Sequence, residues 1–339
     1  MFIKEHFPLI KLNTFGLNVH ARYFVEVTNV EDLHKIFSYS SSMPKFIIGN
    51  GSNILFLKDY YPGLILKIGI KGKKIVKENN KQVIVQAYAG EKWNNFVNWT
   101  IKKGFSGLEN LSFIPGTVGA SPIQNIGAYG TEIKNVLLKV KTYEVDHGKI
   151  IEFSRKKCQL KYRDSFFKSR KNRFIILSVF FLLKKGFKKN NSFFSVEVEN
   201  ELKNMNIKKP TIEDISKAIF NIRHRNLPDT KKIGNAGSFF INPVIKNVDF
   251  KIIKHEFPNI IGYKLCENKV KISANSLIES IGWKGRKIGN VGVYEKKPII
   301  IVNYGKATGI EIYSFSEKII EDVKKVFGII LSREVNIIQ

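Results

Sequence analysis

Residues 104–129 read GFSGLENLSFIPGTVGASPIQNIGAY, with five glycines and two prolines in a chain otherwise rich in lysine. Glycine lets a backbone approach a ligand closely and reach conformations closed to other residues. Successive free amides in such a loop form an anion-binding concavity. A second stretch of the same kind, Gly49-Asn50-Gly51-Ser52-Asn53, lies between two short apolar runs. The chemistry these residues suit is a wall of backbone amides around a phosphate-bearing cofactor. Neither stretch matches GxGxxG or GxxxxGK[ST]. Pro115-Gly116 alone is an ordinary turn pair, and Gly-Asn-Gly-Ser alone is an ordinary hairpin connection. On glycine content, a turn and a cofactor loop both stay open.

The elements that must position these loops are legible in part. Residues 46–48 and 54–57 are short strand candidates on either side of Gly49-Asn50-Gly51-Ser52-Asn53. Residues 81–88, KQVIVQAY, alternate like a strand. Residues 91–103 space Trp93, Phe96, Val97, Thr100 and Ile101 as an amphipathic helix, with Gly104 at its C-terminal cap. Residues 174–183, FIILSVFFLL, bounded by Arg173 and Lys184, read as a buried strand; a membrane span needs about 20 apolar residues. Residues 184–210, rich in lysine and asparagine, read as a long exposed loop. Residues 212–225 read as a helix capped by Thr211, with Glu213 and Asp214 in its first turn. A domain boundary is expected near residue 220. An amphipathic helix over 314–326 and a terminal strand over 335–338 follow, and no internal repeat is visible.

At 339 residues the chain exceeds one small core, and two or three domains are expected. Hydrophobic residues at 43% exclude a disordered chain. Cys158 and Cys266, far apart, make neither a disulfide framework nor a zinc spacing. The six histidines are scattered singly, so no metal site is expected. No signal peptide is read at MFIKEHFPLIKLN, and the expected location is the reducing cytoplasm. A net charge of +27 raises nucleic acid or an anionic membrane as a partner. The lysines, however, are spread along the whole chain together with abundant Ile, Asn and Phe, residue types that share A/T-rich codons. Genome composition is therefore the plainer reading, and neither nucleic acid nor membrane is expected as a partner. A basic nucleic-acid-binding protein is the competing class, and it predicts binding that falls steeply with salt.

Four segments in order carry a resemblance. They are Ile48-Gly49-Asn50-Gly51-Ser52-Asn53, the stretch through Gly130, Tyr162-Arg163-Asp164-Ser165-Phe166-Phe167-Lys168, and Gly234-Asn235-Ala236-Gly237-Ser238-Phe239-Phe240-Ile241-Asn242-Pro243. Asn13-Thr14-Phe15-Gly16, Ser273-Ala274 through Lys284-Gly285, and Arg333-Glu334-Val335 agree as well. Together they resemble the UDP-N-acetylenolpyruvoylglucosamine reductases, flavoproteins of peptidoglycan synthesis, over nearly the whole chain. The resemblance implies an α+β chain with a two-part FAD-binding fold of the vanillyl-alcohol-oxidase type and a C-terminal α+β substrate domain. The expected division is 1–70 for the first FAD-binding part, joined by the terminal strand within 328–339, 71–220 for the second, and 221–327 for the substrate domain. It implies noncovalent FAD, NADPH as co-substrate, a sugar-nucleotide substrate and a monomer. A flavin oxidase acting on another substrate is the rival within the same fold.

The residue roles follow from the resemblance. Gly49, Asn50, Gly51, Ser52 and Asn53, with Ile114, Pro115, Gly116, Gly119, Ser121, Pro122, Asn125 and Gly127, are expected around FAD. Arg163 matches the arginine that faces the enolpyruvyl carboxylate. An arginine fork suits a carboxylate through two parallel hydrogen bonds, and it stabilises charge that grows there as hydride adds. Ser238 is expected to protonate C2 of the resulting enolate. Glu334 matches the catalytic glutamate; to act as an acid it needs a raised pKa, which burial supplies. Tyr129 and Asn242 are expected to line the substrate cleft. Three positions depart from the pattern. Asn226 replaces a common lysine, with Arg223 or Arg225 as the substitute charge. Phe193 or Phe194 stands where a tyrosine is expected, and Lys297 where a glutamine is expected.

Overall fold

The computed structural model describes residues 2–39, 43–186 and 195–339. They divide into two compact units: Met1–Phe7, Ala21–Asn50 and Pro62–Arg225 in the first, and Pro8–His20, Gly51–Tyr61 and Asn226–Gln339 in the second.

Among the described residues, the first unit holds two larger sheets, a short two-stranded hairpin and four α-helices. One sheet orders its strands Lys4–Pro8, His20–Val27, Tyr60–Ile68, Lys45–Ile48. The larger runs Lys149–Ser154, Leu137–Glu144, Phe174–Lys185, Gln82–Tyr88, Lys73–Glu78, with Phe105–Ser106 added beside Phe174–Lys185. Its strands pair antiparallel throughout. Phe174–Lys185 is central, and both of its faces are covered: Ile175, Leu177, Val179 and Phe181 are buried, and so are Ile176 and Phe180. A strand covered on both faces reads as a continuous apolar run rather than an alternating one, which is why the segment was legible. Helix α1 spans Glu31–Tyr39 and α2 spans Trp93–Lys102. The residues α2 buries are Trp93, Phe96, Val97, Thr100 and Ile101, the five its spacing predicted.

Two expectations need correction. Residues 46–48 and 54–57 do not close a hairpin. Lys45–Ile48 pairs parallel with Tyr60–Ile68, while Ile54–Phe56 pairs parallel with the terminal strand Asn336–Ile338. Gly49-Asn50-Gly51-Ser52-Asn53 therefore carries the chain between different sheets. The stretch 184–210 is not one loop either. The central strand runs to Lys185, and helix α3 occupies Val196–Asn204, capped by Ser195, whose side chain accepts from the Val198 amide. Helix α3 packs Val198 and Leu202 on Ile215, Ala218, Ile219 and Ile222 of α4, Ile212–Asn226. With only two buried apolar residues on a charged helix, its amphipathic signal is faint. Phe193 and Phe194 lie outside the described residues. Helix α4 begins as expected, with Thr211 Oγ1 accepting from the Asp214 amide and the Asp214 carboxylate accepting from the Thr211 amide.

The second unit contains a sheet ordered Gly234–Asn235, Ile301–Asn303, Val291–Val293, Lys287–Ile288, and a three-stranded sheet ordered Val244–Lys246, Lys269–Ile272, Gly262–Cys266. Helices α5, Asn247–Glu256, α6, Ala274–Ser280, and α7, Gly309–Phe327, accompany them. Helix α7 starts five residues before the expected 314 because Thr308 and Glu311 form a reciprocal capping box. Trp283 stacks edge-on against Phe315 of α7 and donates from Nε1 to Asp322 at 2.9 Å.

One buried carboxylate sets a pH dependence. Glu109 is 8% exposed and accepts from the Gly107 amide at 2.6 Å. Burial raises its pKa, opposed by backbone hydrogen bonds and the charge of Lys184. A carboxyl whose folded pKa is raised stabilises the fold below its unfolded pKa, and that contribution fades as pH rises through the folded value. Glu109→Gln keeps the acceptor and removes the charge. Its thermal midpoint is expected to exceed wild type at pH 8, by a margin that shrinks toward pH 5. An equal shift at both pH values would contradict this.

Candidate flavin and substrate site

In the first unit, the glycine-rich loop lies on the end of a strand through backbone alone. The Gly119 amide donates to Ala89 at 3.0 Å, the Val118 amide to Glu91 at 2.9 Å, and the Trp93 amide to Gly116 at 3.1 Å. This closeness demands glycine: a Cβ at residue 119 would sit 2.6 Å from the Ala89 Cβ and 3.1 Å from its Cα. The Gly49-Asn50 turn is tied to the same loop, with Asn50 Nδ2 donating to the Gly116 carbonyl at 3.2 Å. A Cβ at residue 49 would lie 2.8 Å from Thr117 Oγ1. The two stretches that suggested a cofactor thus meet in space.

Not every expected cofactor residue offers its side chain. Ser121 is buried and donates to the Val118 carbonyl at 2.7 Å. Asn125 is buried; its Nδ2 donates to Glu132 and to the Lys161 carbonyl, both at 2.9 Å, and its Oδ1 accepts from the Lys134 amide. Their contribution to a ligand is the shape of the loop. Pro122 is buried beneath it, Ile114 half-buried, and Pro115 exposed.

The same loop receives the arginine's side chain. Arg163 has a left-handed backbone, φ 53°, and its Nη2 donates to the Gly127 carbonyl at 3.1 Å. Lys168 Nζ donates to the Arg163 carbonyl at 2.9 Å, and Ser165 Oγ to the Ile123 carbonyl at 2.6 Å. Gly127–Ala128 pairs with Thr131–Glu132 as a short hairpin. Its turn is Tyr129-Gly130, with φ 49° and 84°. Asn110 Nδ2 donates to the Tyr129 carbonyl at 3.2 Å, and the Tyr129 side chain packs against the apolar cluster of α3 and α4. Burial raises the hydroxyl's pKa, while Arg223 pulls it down. Arg163, from the turn between Lys161 and Asp164, therefore reaches with its side chain the hairpin that carries Tyr129. The packing of Tyr129 against α3 and α4 was not foreseen. The sequence marked α4 as a helix, but nothing in it marked the helix as a neighbour of this turn.

In the second unit, Ser238 and Glu334 come together on adjacent antiparallel segments. Phe240 bridges Arg333, the Glu334 amide donates to Phe239 at 2.8 Å, and the Ile241 amide to Ser332 at 2.8 Å. Phe239 and Phe240 are buried and anchor one segment, while Ser238 is exposed. Arg333 fixes the other by ion-pairing with Glu317 of α7 at 2.7 Å and donating to Ser316 at 2.9 Å. Asn53 Nδ2 donates to the Glu334 carbonyl at 3.2 Å. Asn242 Oδ1 accepts from the Ala274 amide at 2.9 Å, at the start of α6, so its Nδ2 is what it can present to a ligand. Lys297 is half-buried two residues before Ile299, whose carbonyl accepts from the Phe239 amide. Of the two arginines that could replace a charge at Asn226, Arg225 is ion-paired with Glu201 at 2.6 Å. The hydrogen bond from Arg225 holds the Glu201 carboxyl below its ordinary pKa.

Residues 21–154 match the FAD binding domain family, so the first unit carries the fold of an FAD-dependent flavoprotein. Residues 228–338 match the C-terminal domain of UDP-N-acetylenolpyruvoylglucosamine reductase. The reductase of that name from Flavobacterium johnsoniae is 42% identical over 339 residues, covering 100% of both chains. The one from Pseudomonas aeruginosa is 38% identical over 337 residues, covering 99% of this chain and 98% of its own. The crystal structure of the Thermus caldophilus reductase shares the fold, with a TM-score of 0.70 at 20% identity and 100% coverage of both chains. The chain belongs to the UDP-N-acetylenolpyruvoylglucosamine reductase family. No helix among the described residues is long and apolar enough to cross a membrane.

The loop fits a flavin by the make-up of its wall, which is backbone and small residues, packed where a single Cβ would collide. Gly119→Ala is expected to push the loop off Ala89 and to lower flavin content, read as the ratio of visible to protein absorbance. Unchanged flavin content in the folded variant would show that the contact does not shape the cofactor site.

Proposed function

We propose that the chain reduces UDP-N-acetylenolpyruvoylglucosamine to UDP-N-acetylmuramate, with noncovalent FAD and with NADPH as reductant, as a cytoplasmic monomer. The observation that carries this is 42% identity across the full length of a reductase of that name, joined to a loop that brings both glycine stretches together. The residues that would hold FAD are Gly49, Asn50, Gly51, Ser52, Asn53 and the stretch 114–127. The proposed division assigns 1–70 with the terminal strand, and 71–220, to the flavin, and 221–327 to the substrate.

When bound, FAD supplies the hydride, drawn from NADPH, that adds to the vinyl terminus of the enolpyruvyl group. The chain's own residues manage the charge and the proton. As the new C–H bond forms, the double-bond electrons move toward C2 and the carboxylate. Arg163, held by its bond to Gly127, offsets that charge by binding the carboxylate. Ser238 then gives its hydroxyl proton to C2. A hydroxyl is a weak acid, and the transfer succeeds because an enolate carbon is a strong base. Glu334, on the strand bonded to Phe239, orients the carboxylate or shares a proton with it. Asn242 and Tyr129 bind the sugar nucleotide.

Rapid-mixing absorbance separates the two half-reactions. Ser238→Ala is expected to leave flavin reduction by NADPH intact and to slow reoxidation by substrate about 10²–10⁴-fold. Normal reoxidation would remove Ser238 as the proton donor. Arg163→Ala is expected to slow the same step by about 10²-fold or more, and unchanged turnover would remove it from the mechanism.

A further inference from the structure

We infer that Asn235 is a positioning residue for the proton transfer: its side chain fixes the turn at Gly237, and with it the place of the Ser238 hydroxyl. This rests on the role proposed above for Ser238. Gly237 has a left-handed backbone, φ 69°, yet a Cβ built there would meet nothing within 4 Å. Glycine serves this position by its conformation and not by making room. Because glycine takes left- and right-handed backbone about equally, the chain on either side must choose between them. Upstream, Asn235 Oδ1 accepts from the Gly237 amide at 3.0 Å and holds that peptide plane. Downstream, the Phe239 amide donates to the Ile299 carbonyl at 2.9 Å, and the Phe239 carbonyl accepts from the Glu334 amide at 2.8 Å. Ser238 lies between these two clamps, exposed while Ala236 and Phe239 are buried.

Asn235 works through the turn and not by touching a ligand. It is 3% exposed, and its Nδ2 donates to the Ile233 carbonyl at 2.9 Å and to the Pro228 carbonyl at 3.4 Å. Both hydrogens of its amide nitrogen are thus engaged within the chain. An amide on one side and two carbonyls on the other also decide which way the side-chain amide faces. The clamp itself stands on fixed backbone. The Asn235 amide donates to the Thr14 carbonyl at 2.9 Å, and the residue pairs antiparallel with Val302. At Gly234, a Cβ would lie 2.1 Å from the Phe15 carbonyl oxygen, and Asn303 Nδ2 donates to that same oxygen at 3.0 Å. Such bracing suits a catalytic hydroxyl, since a misplacement of about 1 Å costs about 10²-fold in rate.

The test uses the flavin-loaded enzyme with NADPH and UDP-N-acetylenolpyruvoylglucosamine. Rapid-mixing absorbance is recorded for wild type, Asn235→Ala, Asn235→Asp, Ser238→Ala and the double variant Asn235→Ala with Ser238→Ala. Asn235→Ala is expected to slow flavin reoxidation by substrate about 10- to 100-fold. Flavin reduction by NADPH, and the Kd of the sugar nucleotide read from the flavin spectrum, are expected to stay within about threefold, a split that a general loss of structure would not give. Asn235→Asp keeps an acceptor for the Gly237 amide and is expected to recover part of the rate. In the Ser238→Ala background the loss from Asn235→Ala is expected to vanish, because no hydroxyl is left to position. Reoxidation at the wild-type rate in Asn235→Ala, or losses that multiply in the double variant, would overturn the inference. Flavin content and thermal midpoint report folding; should Asn235→Ala not fold, Asn235→Ser, whose shorter side chain weakens the same contact, takes its place in the cycle under the same criteria. A wild type inert toward this substrate, or normal reoxidation of Ser238→Ala, would overturn the proposed role of Ser238 and this inference with it. A slow Ser238→Ala beside a normal Asn235→Ala would overturn this inference alone.

Discussion

The contact between the Gly119 amide and the Ala89 carbonyl, with a Cβ excluded at residue 119, is the constraint on which the first unit's site depends. A loop laid on a strand by three backbone bonds keeps its path whatever its side chains do. Asn50 reaches the same loop at Gly116, so both glycine stretches are placed at once. Downstream the loop turns into the hairpin whose first residue, Gly127, takes the Arg163 guanidinium. The arginine proposed to face the substrate carboxylate is thus positioned by the same piece of backbone proposed to face the flavin. The side chains most deeply placed in the loop, Ser121 and Asn125, serve its shape through internal hydrogen bonds.

The second unit uses a different device. There two chain segments distant in sequence are joined by the Phe240–Arg333 bridge, and the proposed proton donor and glutamate fall one on each. Buried Phe239 and Phe240 hold the first segment, and the Arg333–Glu317 ion pair ties the second to α7. The pair is half-buried, with Arg333 the more covered partner. Its value here is in fixing where the backbone next to Glu334 runs.

Much of the fold was legible because burial imposes simple patterns. The five inward residues of α2 recur at helical spacing, and the central strand is apolar on both faces because both are covered. Helix α3 escaped because its two buried apolar residues give too little pattern in a nine-residue helix rich in charge. The false hairpin at residues 46–57 had the right local elements; what the sequence lacked was the partner of each strand, which lies far along the chain for Ile54–Phe56. Arg163, Ser238 and Glu334, the residues proposed to be catalytic, were reached through ordered motifs, not through any property each shows alone. That α4 packs beside the Tyr129 turn was not legible, since the two lie far apart in the chain.

The central claim is that these residues serve one reductive chemistry on one sugar nucleotide. It is tested most directly by incubating the purified flavoprotein with NADPH and UDP-N-acetylenolpyruvoylglucosamine without oxygen and weighing the product by mass spectrometry. The account predicts that the substrate gains two hydrogens, one for one with NADPH oxidised. A substrate of unchanged mass, with NADPH consumed only once oxygen is admitted, would contradict it.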